Sequence, residues 1–304
     1  MTDAMVIIGA GEAGVRAAIT LREQGHQGPV TLINAESKLP YERPPLSKGY
    51  LTGDQATLVP ISGSEALSKL EVTMRTGLYV AGIDRTEQRI ITNSGEALAY
   101  DRLLIATGAR ARPLSLPSLS AKSVLTLRTA HDAQSILSYL KQERKVVIVG
   151  GGFIGLELAA SLSQKGSQVS VLEALPTVLQ RVVPAPISEI ILFEHRRRGV
   201  DIRLSTTVES TELRNNKIQL ILKDGSLLDA DLIIAGIGAV PNIHLAEDTG
   251  LLIDNGIAVD AQMRTSDPKI FAAGDCCSFP AGLYGDARVR LESWRGAQEQ
   301  GETA

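Results

Sequence analysis

Short runs of apolar residues, each followed by glycines or polar residues, divide this chain into a regular series of strands and helices. The run Met5–Ile8 leads through a glycine-rich turn into an amphipathic segment that predicts a helix from about Glu12 to Glu23. The run Lys145–Val149 leads in the same way into a helix predicted over Phe153–Lys165. Continuous apolar runs are typical of parallel strands that are buried on both faces. The pattern therefore predicts an α/β chain built from two similar strand–turn–helix units.

Each unit continues with a further strand, predicted at Val30–Ile33 and at Val169–Leu172. A longer stretch rich in β-forming residues and turn signals follows in both cases, at Leu70–Leu104 and at Val208–Ile234. We interpret each stretch as a small antiparallel excursion that returns to the sheet, the second with a turn at Asn215–Asn216. Both end in an aspartate, an apolar strand and a glycine at the same spacing, which indicates that whole domains are duplicated.

Three further helices are predicted outside these units. Thr129–Gln142 has apolar residues at helical spacing behind a polar cap, and Ile187–Arg198 is amphipathic and ends at Gly199. The basic run at its end is interpreted as a complement to the helix dipole. A last helix is predicted to start within Arg290–Gln298.

The domain order follows from a strand that ends in Gly-Asp, Asp267–Asp275, because it lies beyond the second unit. We expect the first domain to be interrupted and to resume there. The prediction assigns residues 1–113 and 243–304 to a discontinuous first domain and residues 114–242 to a second domain inserted into it.

The two glycine-rich turns share the spacing Gly-x-Gly-x-x-Gly, which in this context starts a dinucleotide-binding unit. The first glycine permits the tight turn, the second admits a pyrophosphate to the backbone, and the third lets helix and strand pack closely. The alternative is a glycine turn in an ordinary βα unit. The glycines are Gly9, Gly11 and Gly14 in the first copy and Gly150, Gly152 and Gly155 in the second.

An acidic residue is expected near the end of each second strand, where a carboxylate accepts ribose hydroxyls. In the first unit Asn34 and Glu36 both stand near this place, and Glu36 is preferred, although it could be an exposed loop charge. In the second unit Glu173 stands at the strand end, and no arginine follows before Arg181. A carboxylate there repels a 2′-phosphate, so NADH is favoured over NADPH. Asp275 could accept a hydrogen bond from a polyol chain.

The proline-rich segment Pro40–Lys48 fixes a rigid, non-helical path that could hold Arg43 and Lys48 near a ligand. The alternative is a loop entering a helix, with Ser47 as the cap. The segment has no cysteine, which excludes the internal disulfide relay that many flavin disulfide reductases carry in this region.

Composition sets limits on the class of protein. The 304 residues are 44% hydrophobic and 21% charged, which is typical of a globular protein. The net charge of −3 gives no indication of binding to nucleic acid or to an acidic membrane. No apolar run has the length of a membrane span, and we see no signal peptide. The two cysteines, Cys276 and Cys277, are adjacent, so a reducing cytoplasm is expected. The histidines lack ligand spacing, and no metal site is predicted.

Several motifs together give the chain a resemblance to the FAD-dependent NADH:ferredoxin and rubredoxin reductases, the flavoprotein partners of Rieske-type dioxygenases and some bacterial cytochromes P450. The resemblance implies two Rossmann-like dinucleotide-binding domains, one inserted in the other, in the FAD/NAD(P) fold of glutathione reductase. The motifs are Pro40–Lys48, Ile105–Gly108, Gly150–Glu157, Ala235–Asn242, Ala272–Asp275 and Arg290–Trp294.

The resemblance also implies roles for individual residues. Val80 would meet the adenine of FAD through its backbone, Arg128 the phosphate or ribityl side, Asp275 the ribityl chain and Trp294 the pyrimidine edge of the flavin through its backbone. Lys48 would lie by the flavin N5, paired with Glu157. The FAD site would comprise Gly9, Gly11, Ala13, Gly14, Glu36, Arg43, Lys48, Val80, Ala106, Thr107, Gly108, Arg128, Asp275 and Trp294. The NADH site would comprise Gly150, Gly152, Ile154, Gly155, Glu173 and Gly238.

The function implied by the resemblance is transfer of a hydride from NADH to FAD, followed by single electrons to a ferredoxin- or rubredoxin-type iron–sulfur protein. The alternatives are another NADH-dependent reductase on this fold, or a flavin- and NADH-binding protein with weak or no turnover. Relatives continue into a further C-terminal domain that covers the flavin and helps to form a dimer or partner surface. We expect that domain to be missing here. A homodimer is possible, although the domain that usually helps to form it is expected to be absent.

Overall fold

A computed structural model describes residues 3–120, 123–140, 144–214, 217–282, 285 and 287–304. The helices are α1 Glu12–Glu23, α2 Gly49–Thr52, α3 Ala130–Tyr139, α4 Phe153–Gln164, α5 Ala185–Arg197, α6 His244–Asp248 and α7 Trp294–Thr303. The strands up to the middle of the chain are β1 Met5–Ile8, β2 Val30–Asn34, β3 Val72–Thr76, β4 Val80–Asp84, β5 Arg89–Thr92, β6 Ala97–Ala99, β7 Arg102–Ile105, β8 Ala109–Ala111, β9 Val124–Leu125 and β10 Lys145–Val149. The later strands are β11 Gln168–Leu172, β12 Asp201–Arg203, β13 Val208–Arg214, β14 Lys217–Leu222, β15 Leu227–Ala230, β16 Leu232–Ala235, β17 Ala239–Pro241, β18 Ile257–Ala258, β19 Ile270–Ala272, β20 Cys277–Pro280 and β21 Arg288–Val289.

The chain forms two compact units, each made of more than one segment. The first unit comprises Met1–Glu42, Val59–Arg110 and Pro241–Ala304, and the second comprises Arg43–Leu58 and Ala111–Val240. Residues 43–58, which the prediction placed in the first domain, are grouped with the second unit. Within the described residues, no helix has the length and apolarity needed to cross a bilayer.

The first unit is built on a five-stranded parallel sheet in the order β19-β7-β1-β2-β3. The strands are apolar on both faces, so one core cluster lies on each side of the sheet. A separate antiparallel sheet, β4-β5-β6, forms the excursion between β3 and β7. The edge strand β19 is supplied by the last third of the chain and pairs with β7.

The second unit repeats this plan. Its parallel sheet has the order β12-β11-β10-β16-β9, and the antiparallel excursion is β13-β14-β15. One apolar cluster contains side chains from the excursion and from the parallel sheet, Leu220 and Val147 among them. The α/β fold with two Rossmann-like units is thus confirmed. The two sheets differ in the edge strand next to the returning strand. In the first unit this strand, β19, follows the other strands of the sheet in the chain, whereas in the second unit β9 precedes the other strands of its sheet.

The duplicated aspartates have the same structural task in both units. The Asp101 carboxylate accepts a hydrogen bond of 2.7 Å from the backbone N–H of Ala4, just before β1. The Asp231 carboxylate accepts one of 2.9 Å from the N–H of Lys145, the first residue of β10. Each aspartate therefore anchors the start of the central strand to the neighbouring returning strand.

Several predicted boundaries are corrected by the structure. Val72–Thr76 was predicted within the antiparallel excursion, but β3 pairs in parallel with β2 and belongs to the main sheet. The last helix, predicted to start within Arg290–Gln298, begins at Trp294 with Ser293 as its cap. The predicted end of the third helix at Gln142 and the predicted turn at Asn215–Asn216 lie outside the described residues.

Candidate functional site

The first glycine of each Gly-x-Gly-x-x-Gly turn has the same backbone conformation. Gly9 has φ +111° and Gly150 has φ +112°, a region that side chains rarely adopt. A Cβ atom at Gly9 would lie 2.2 Å from the carbonyl oxygen of Ala106, and one at Gly150 would lie 2.4 Å from that of Gly236. Only glycine fits at these positions, because the returning strand passes directly beside the turn.

The third glycine of each motif lets the helix approach the turn. A Cβ atom at Gly14 would lie 1.9 Å from the Gly9 oxygen, and one at Gly155 would lie 2.0 Å from the Gly150 oxygen. Both contacts are with backbone, which cannot move aside. The two turns are therefore the same structure built twice.

The second glycine has no such packing role. Nothing in the described chain lies within 4 Å of a Cβ atom placed at Gly11, and one at Gly152 would meet only the Gly236 oxygen at 3.9 Å. Gly11 and Gly152 are the N-caps of α1 and α4, which have no side-chain capping bond, whereas α3 and α7 are capped by Thr129 and Ser293. Two helix N-termini therefore face open space with backbone donors available for an anion such as a diphosphate.

The loop after β2 discriminates between the two candidates for a ribose ligand. Asn34 is buried, its side-chain amide donates to the Lys38 carbonyl oxygen at 2.8 Å, and its side-chain oxygen accepts from the Glu36 N–H at 3.2 Å. The Glu36 carboxylate accepts a hydrogen bond of 2.5 Å from the Tyr41 hydroxyl. Asn34 thus shapes the loop, and Glu36 stays the predicted ribose ligand, with Tyr41 orienting its carboxylate.

Glu173 follows β11 and is held by the backbone of its own unit. One carboxylate oxygen accepts a hydrogen bond of 2.6 Å from the Gly151 N–H, and the other accepts one of 2.8 Å from the Leu175 N–H. The acid is therefore fixed directly beside the glycine turn of α4. This placement supports the predicted ribose contact and a negative charge close to the nucleotide site.

The segment Ala106–Gly108, directly after β7, lies beside the first glycine turn. Ala106 lies against Gly9, Gly108 has φ +65°, and Thr107 is fixed by a reciprocal pair of hydrogen bonds with Asn242. The Thr107 hydroxyl donates to the Asn242 oxygen at 2.8 Å, and the Asn242 amide donates to the Thr107 oxygen at 2.9 Å. These predicted residues thus lie together at the turn.

The remaining predicted residues of the first unit are Ala13, Val80, Asp275 and Trp294. A Cβ atom at Gly274, next to Asp275, would lie 3.3 Å from the Ala13 side chain. Val80 starts β4 and is buried, with 3% of the residue exposed, and its contact with the adenine stays a prediction. Trp294 is the exposed first residue of α7.

Glu12, in the first turn of α1, was missed as a candidate for the site. Its carboxylate accepts a hydrogen bond of 2.7 Å from the Gln298 side chain on α7. Burial raises the pKa of Glu12 and the nearby charge of Glu42 raises it further, against the opposing effects of Gln298, Trp294 and Arg16. The sequence contained a signal for Glu12, because an acidic residue follows the second glycine of the motif in the first unit, whereas the second unit has Phe153 at the equivalent position.

Replacement of Glu12 by glutamine tests whether the buried carboxylate of Glu12 destabilises the fold. A carboxyl whose pKa is raised by folding contributes stability below its unfolded pKa and loses it as pH rises through the folded pKa. Glu12→Gln is therefore expected to melt at a higher temperature than wild type near neutral pH and at the same temperature below pH 4.5. Thermal melts at both pH values, with Glu299→Gln on the exposed face of α7 as control, measure this. An equal melting temperature at neutral pH would contradict the assignment.

Four further predicted residues of the second unit are joined in two pairs. The Lys48 ammonium is 2.9 Å from a carboxylate oxygen of Glu157 on α4, with 52% of the lysine side chain and 29% of the glutamate side chain exposed. The Arg43 guanidinium donates to the Arg128 carbonyl oxygen at 2.7 Å. The predicted Lys48–Glu157 pair is therefore present as an ion pair that reaches solvent.

The remaining residues of the predicted NADH site surround the start of α4 or the end of the sheet. Ile154, in the first turn of α4, is exposed. Gly238 has φ +100°, and its carbonyl oxygen accepts a hydrogen bond of 2.9 Å from the Arg112 N–H. The alternative role of Ser47 as a helix cap is wrong, because α2 has Lys48 as its N-cap and no side-chain capping bond.

Comparison with known proteins places these features in a family. The model of the family described as pyridine nucleotide-disulphide oxidoreductase matches residues 3–301. The chain belongs to this family. It is also 41% identical over 305 residues to putidaredoxin reductase of Pseudomonas putida, covering 98% of this chain and 72% of that protein.

Two further similarities agree. The ferredoxin–NAD(+) reductase component of the 3-phenylpropionate/cinnamic acid dioxygenase of Photorhabdus laumondii is 38% identical over 299 residues, which cover 98% of this chain and 76% of that protein. The crystal structure of a covalent putidaredoxin reductase–putidaredoxin complex superposes with a TM-score of 0.92 at 40% identity, covering 99% of this chain and 74% of that one.

The chain is therefore an oxidoreductase, and FAD and NADH are its cofactors. Its two open, uncapped helix N-termini fit two dinucleotides, one in each unit. Despite the family's description, its two cysteines are adjacent in sequence, buried and free.

Proposed function

We propose that this chain is an FAD-containing reductase that takes electrons from NADH and delivers them singly to a ferredoxin-type iron–sulfur protein that serves an oxygenase or a cytochrome P450. The observation that carries the proposal is the duplicated glycine turn, open at Gly11 and at Gly152, which provides two dinucleotide sites on one chain. The class of acceptor rests on the relatives, which are named for putidaredoxin and ferredoxin. Rubredoxin-type acceptors belong to the same chemical class.

Each unit is assigned one dinucleotide. The first unit, with Gly11 at α1 and Glu36 after β2, holds FAD, and the second, with Gly152 at α4 and Glu173 after β11, holds NADH. The domains are proposed as residues 1–113 and 243–304 for FAD and 114–242 for NADH. These bounds follow the two units except at residues 43–58, 111–113 and 241–242, which are grouped the other way. FAD supplies the change from two-electron to one-electron chemistry. The backbone amides of α1 and α4 bind the diphosphates, and the two carboxylates bind ribose hydroxyls.

The Lys48–Glu157 pair is proposed as the catalytic group of the second unit. Lys48 brings a positive charge on a flexible stem, and Glu157 holds its ammonium at 2.9 Å. A cation placed next to an acceptor that gains negative charge lowers the barrier to reduction. The cytoplasm is the proposed location, since both cysteines are free and buried.

The test of this function is acceptor-dependent turnover. The purified protein, supplied with FAD and NADH, is assayed with a panel of ferredoxins and with cytochrome c as the final electron acceptor. We expect at least one ferredoxin to raise cytochrome c reduction far above the rate with NADH alone. Oxidation of NADH at the same rate with and without every ferredoxin, with oxygen as the acceptor, would contradict the proposal and favour an oxidase.

The proposed choice of NADH predicts the effect of changing Glu173. Glu173→Arg removes the carboxylate from the turn and supplies a cation for a 2′-phosphate, so the ratio of kcat/KM for NADH to that for NADPH is expected to fall about tenfold or more. Glu173→Gln is the control, because it keeps an acceptor for one of the two backbone N–H groups and gains no charge. An unchanged ratio in Glu173→Arg would remove the ribose assignment.

A further inference from the structure

Ser47 is a buried hydroxyl in direct contact with the proposed catalytic pair. It ends the 3₁₀ turn Pro44–Ser47, and only 1% of the residue is exposed. Its Oγ donates to Oε2 of Glu157 at 2.5 Å. The Lys48 ammonium approaches the same Oε2 atom at 2.9 Å. One carboxylate oxygen is therefore shared by a buried neutral donor and a solvent-accessible cation.

Two hydrogen bonds hold the segment Ser47–Thr52 against α4 and the residue that follows it. The Ser161 hydroxyl donates to the Ser47 carbonyl oxygen at 2.6 Å, and the Lys165 ammonium donates to the Thr52 carbonyl oxygen at 3.1 Å. Ser161 lies one helical turn after Glu157, so both residues face the same segment. The backbone of Ser47 and the stem of Glu157 are thereby held at a fixed separation.

An ion pair of this exposure is weak by itself. Exposed lysine–carboxylate pairs contribute little to stability in general, because holding two long, flexible side chains in one geometry costs conformational entropy. A buried hydroxyl lacks this mobility, and its hydrogen bond to a charged oxygen is stronger than one between neutral groups. Ser47 supplies a buried, fixed donor to the Glu157 carboxylate, while the Lys48 ammonium also donates to the Pro44 carbonyl oxygen at 3.2 Å.

We propose that Ser47 is a positioning residue for the reaction. Its hydroxyl fixes the carboxylate of Glu157, which in turn sets the place of the Lys48 ammonium during reduction of the flavin. The inference rests on the proposed function, because it assigns Ser47 to the pair that carries that function. Dinucleotide binding is independent of Ser47, because the diphosphates are assigned to the glycine turns. The hydroxyl therefore affects the rate of reduction and leaves affinity unchanged.

The test separates rate from binding by anaerobic stopped-flow reduction of the FAD-loaded protein at a series of NADH concentrations. Ser47→Ala is expected to lower the limiting rate of flavin reduction roughly tenfold, with the Kd for NADH and the FAD content unchanged. Ser47→Thr, which keeps the hydroxyl, is expected to restore most of the rate. Ser188→Ala is the matched control, because Ser188 is an equally buried serine of the same unit that donates to the Val178 oxygen instead.

A double-mutant cycle shows whether the effect acts through Glu157. In a Glu157→Ala background, Ser47→Ala is expected to cost no further rate, because the group that it positions is gone. If Ser47→Ala does not accumulate as folded protein, Ser47→Cys replaces it, since a thiol fills the same space and is only a weak donor. A wild-type limiting rate in the substituted protein, or an equal loss in both backgrounds, would overturn the inference. Wild-type protein that NADH fails to reduce would instead overturn the proposed function.

Discussion

Gly11→Ala is expected to weaken FAD binding at least about 100-fold and leave the fold intact. The backbone of Gly11 has φ −80° and ψ −171°, which alanine adopts without strain, and a Cβ atom there meets nothing within 4 Å in the described chain. The methyl group would instead occupy the space into which a diphosphate must come to reach the amides of α1. Loss of two charge-assisted hydrogen bonds corresponds to at least about a 100-fold fall in affinity.

Gly152→Ala is the matched change in the second unit. Gly152 has φ −81° and ψ −177°, and its added methyl group meets only a carbonyl oxygen at an ordinary contact distance of 3.9 Å. This variant is expected to keep its FAD and its yellow colour, with a Kd for NADH raised by a similar factor. Absorbance at the flavin maximum measures the FAD content, circular dichroism measures the fold, and titration with NADH gives the Kd for NADH. Retention of FAD by Gly11→Ala, or loss of FAD from Gly152→Ala alone, would contradict the assignment of the units.

Lys48→Ala is expected to slow reduction of the flavin by NADH about 100-fold, the usual cost of removing one charge-stabilising donor from an active site. FAD binding should change little, because the amides of α1 and the carboxylate of Glu36 lie in the first unit, whereas Lys48 lies in the second. Single-turnover reduction under anaerobic conditions gives the rate, and the flavin spectrum before mixing gives the cofactor content.

The control for this variant is Lys223→Ala, which removes an exposed lysine of the same unit after β14. It corrects for the loss of one positive charge from the surface. Lys48→Arg adds a second comparison, because it keeps the charge and changes the geometry of the donors. A limiting rate in Lys48→Ala equal to that of Lys223→Ala would remove Lys48 from the mechanism.

The parts of the fold that depend on local pattern could be predicted from the sequence. The strand Met5–Ile8 and the helix Glu12–Glu23 have the predicted bounds, because apolar periodicity and the glycine turn specify both ends. The open position of Gly11 and the packed position of Gly14 follow from the same motif. The pairing of Val72–Thr76 with β2 could not be predicted, because the partner of a short strand depends on the completed sheet.

The contacts that join distant parts of the chain were also beyond the sequence. Glu12 and Gln298 come together only because α7 packs against α1, and the glycine motif that contains Glu12 does not specify this partner. Ser47 had a plausible local role as a cap, and only the position of α4 shows that its hydroxyl donates to Glu157. Local patterns specify the glycine turns, whereas the residues that orient the proposed catalytic pair depend on packing between segments 110 positions apart.

Reduction of the flavin by NADH is tested by anaerobic mixing of the FAD-loaded protein with NADH. We expect the protein to be yellow as purified or after addition of FAD. NADH should bleach its flavin absorbance within one turnover, and NADPH should do so more slowly. A protein that stays colourless with FAD would contradict the presence of a flavin site, and a yellow protein that NADH does not bleach would show binding without the proposed reduction.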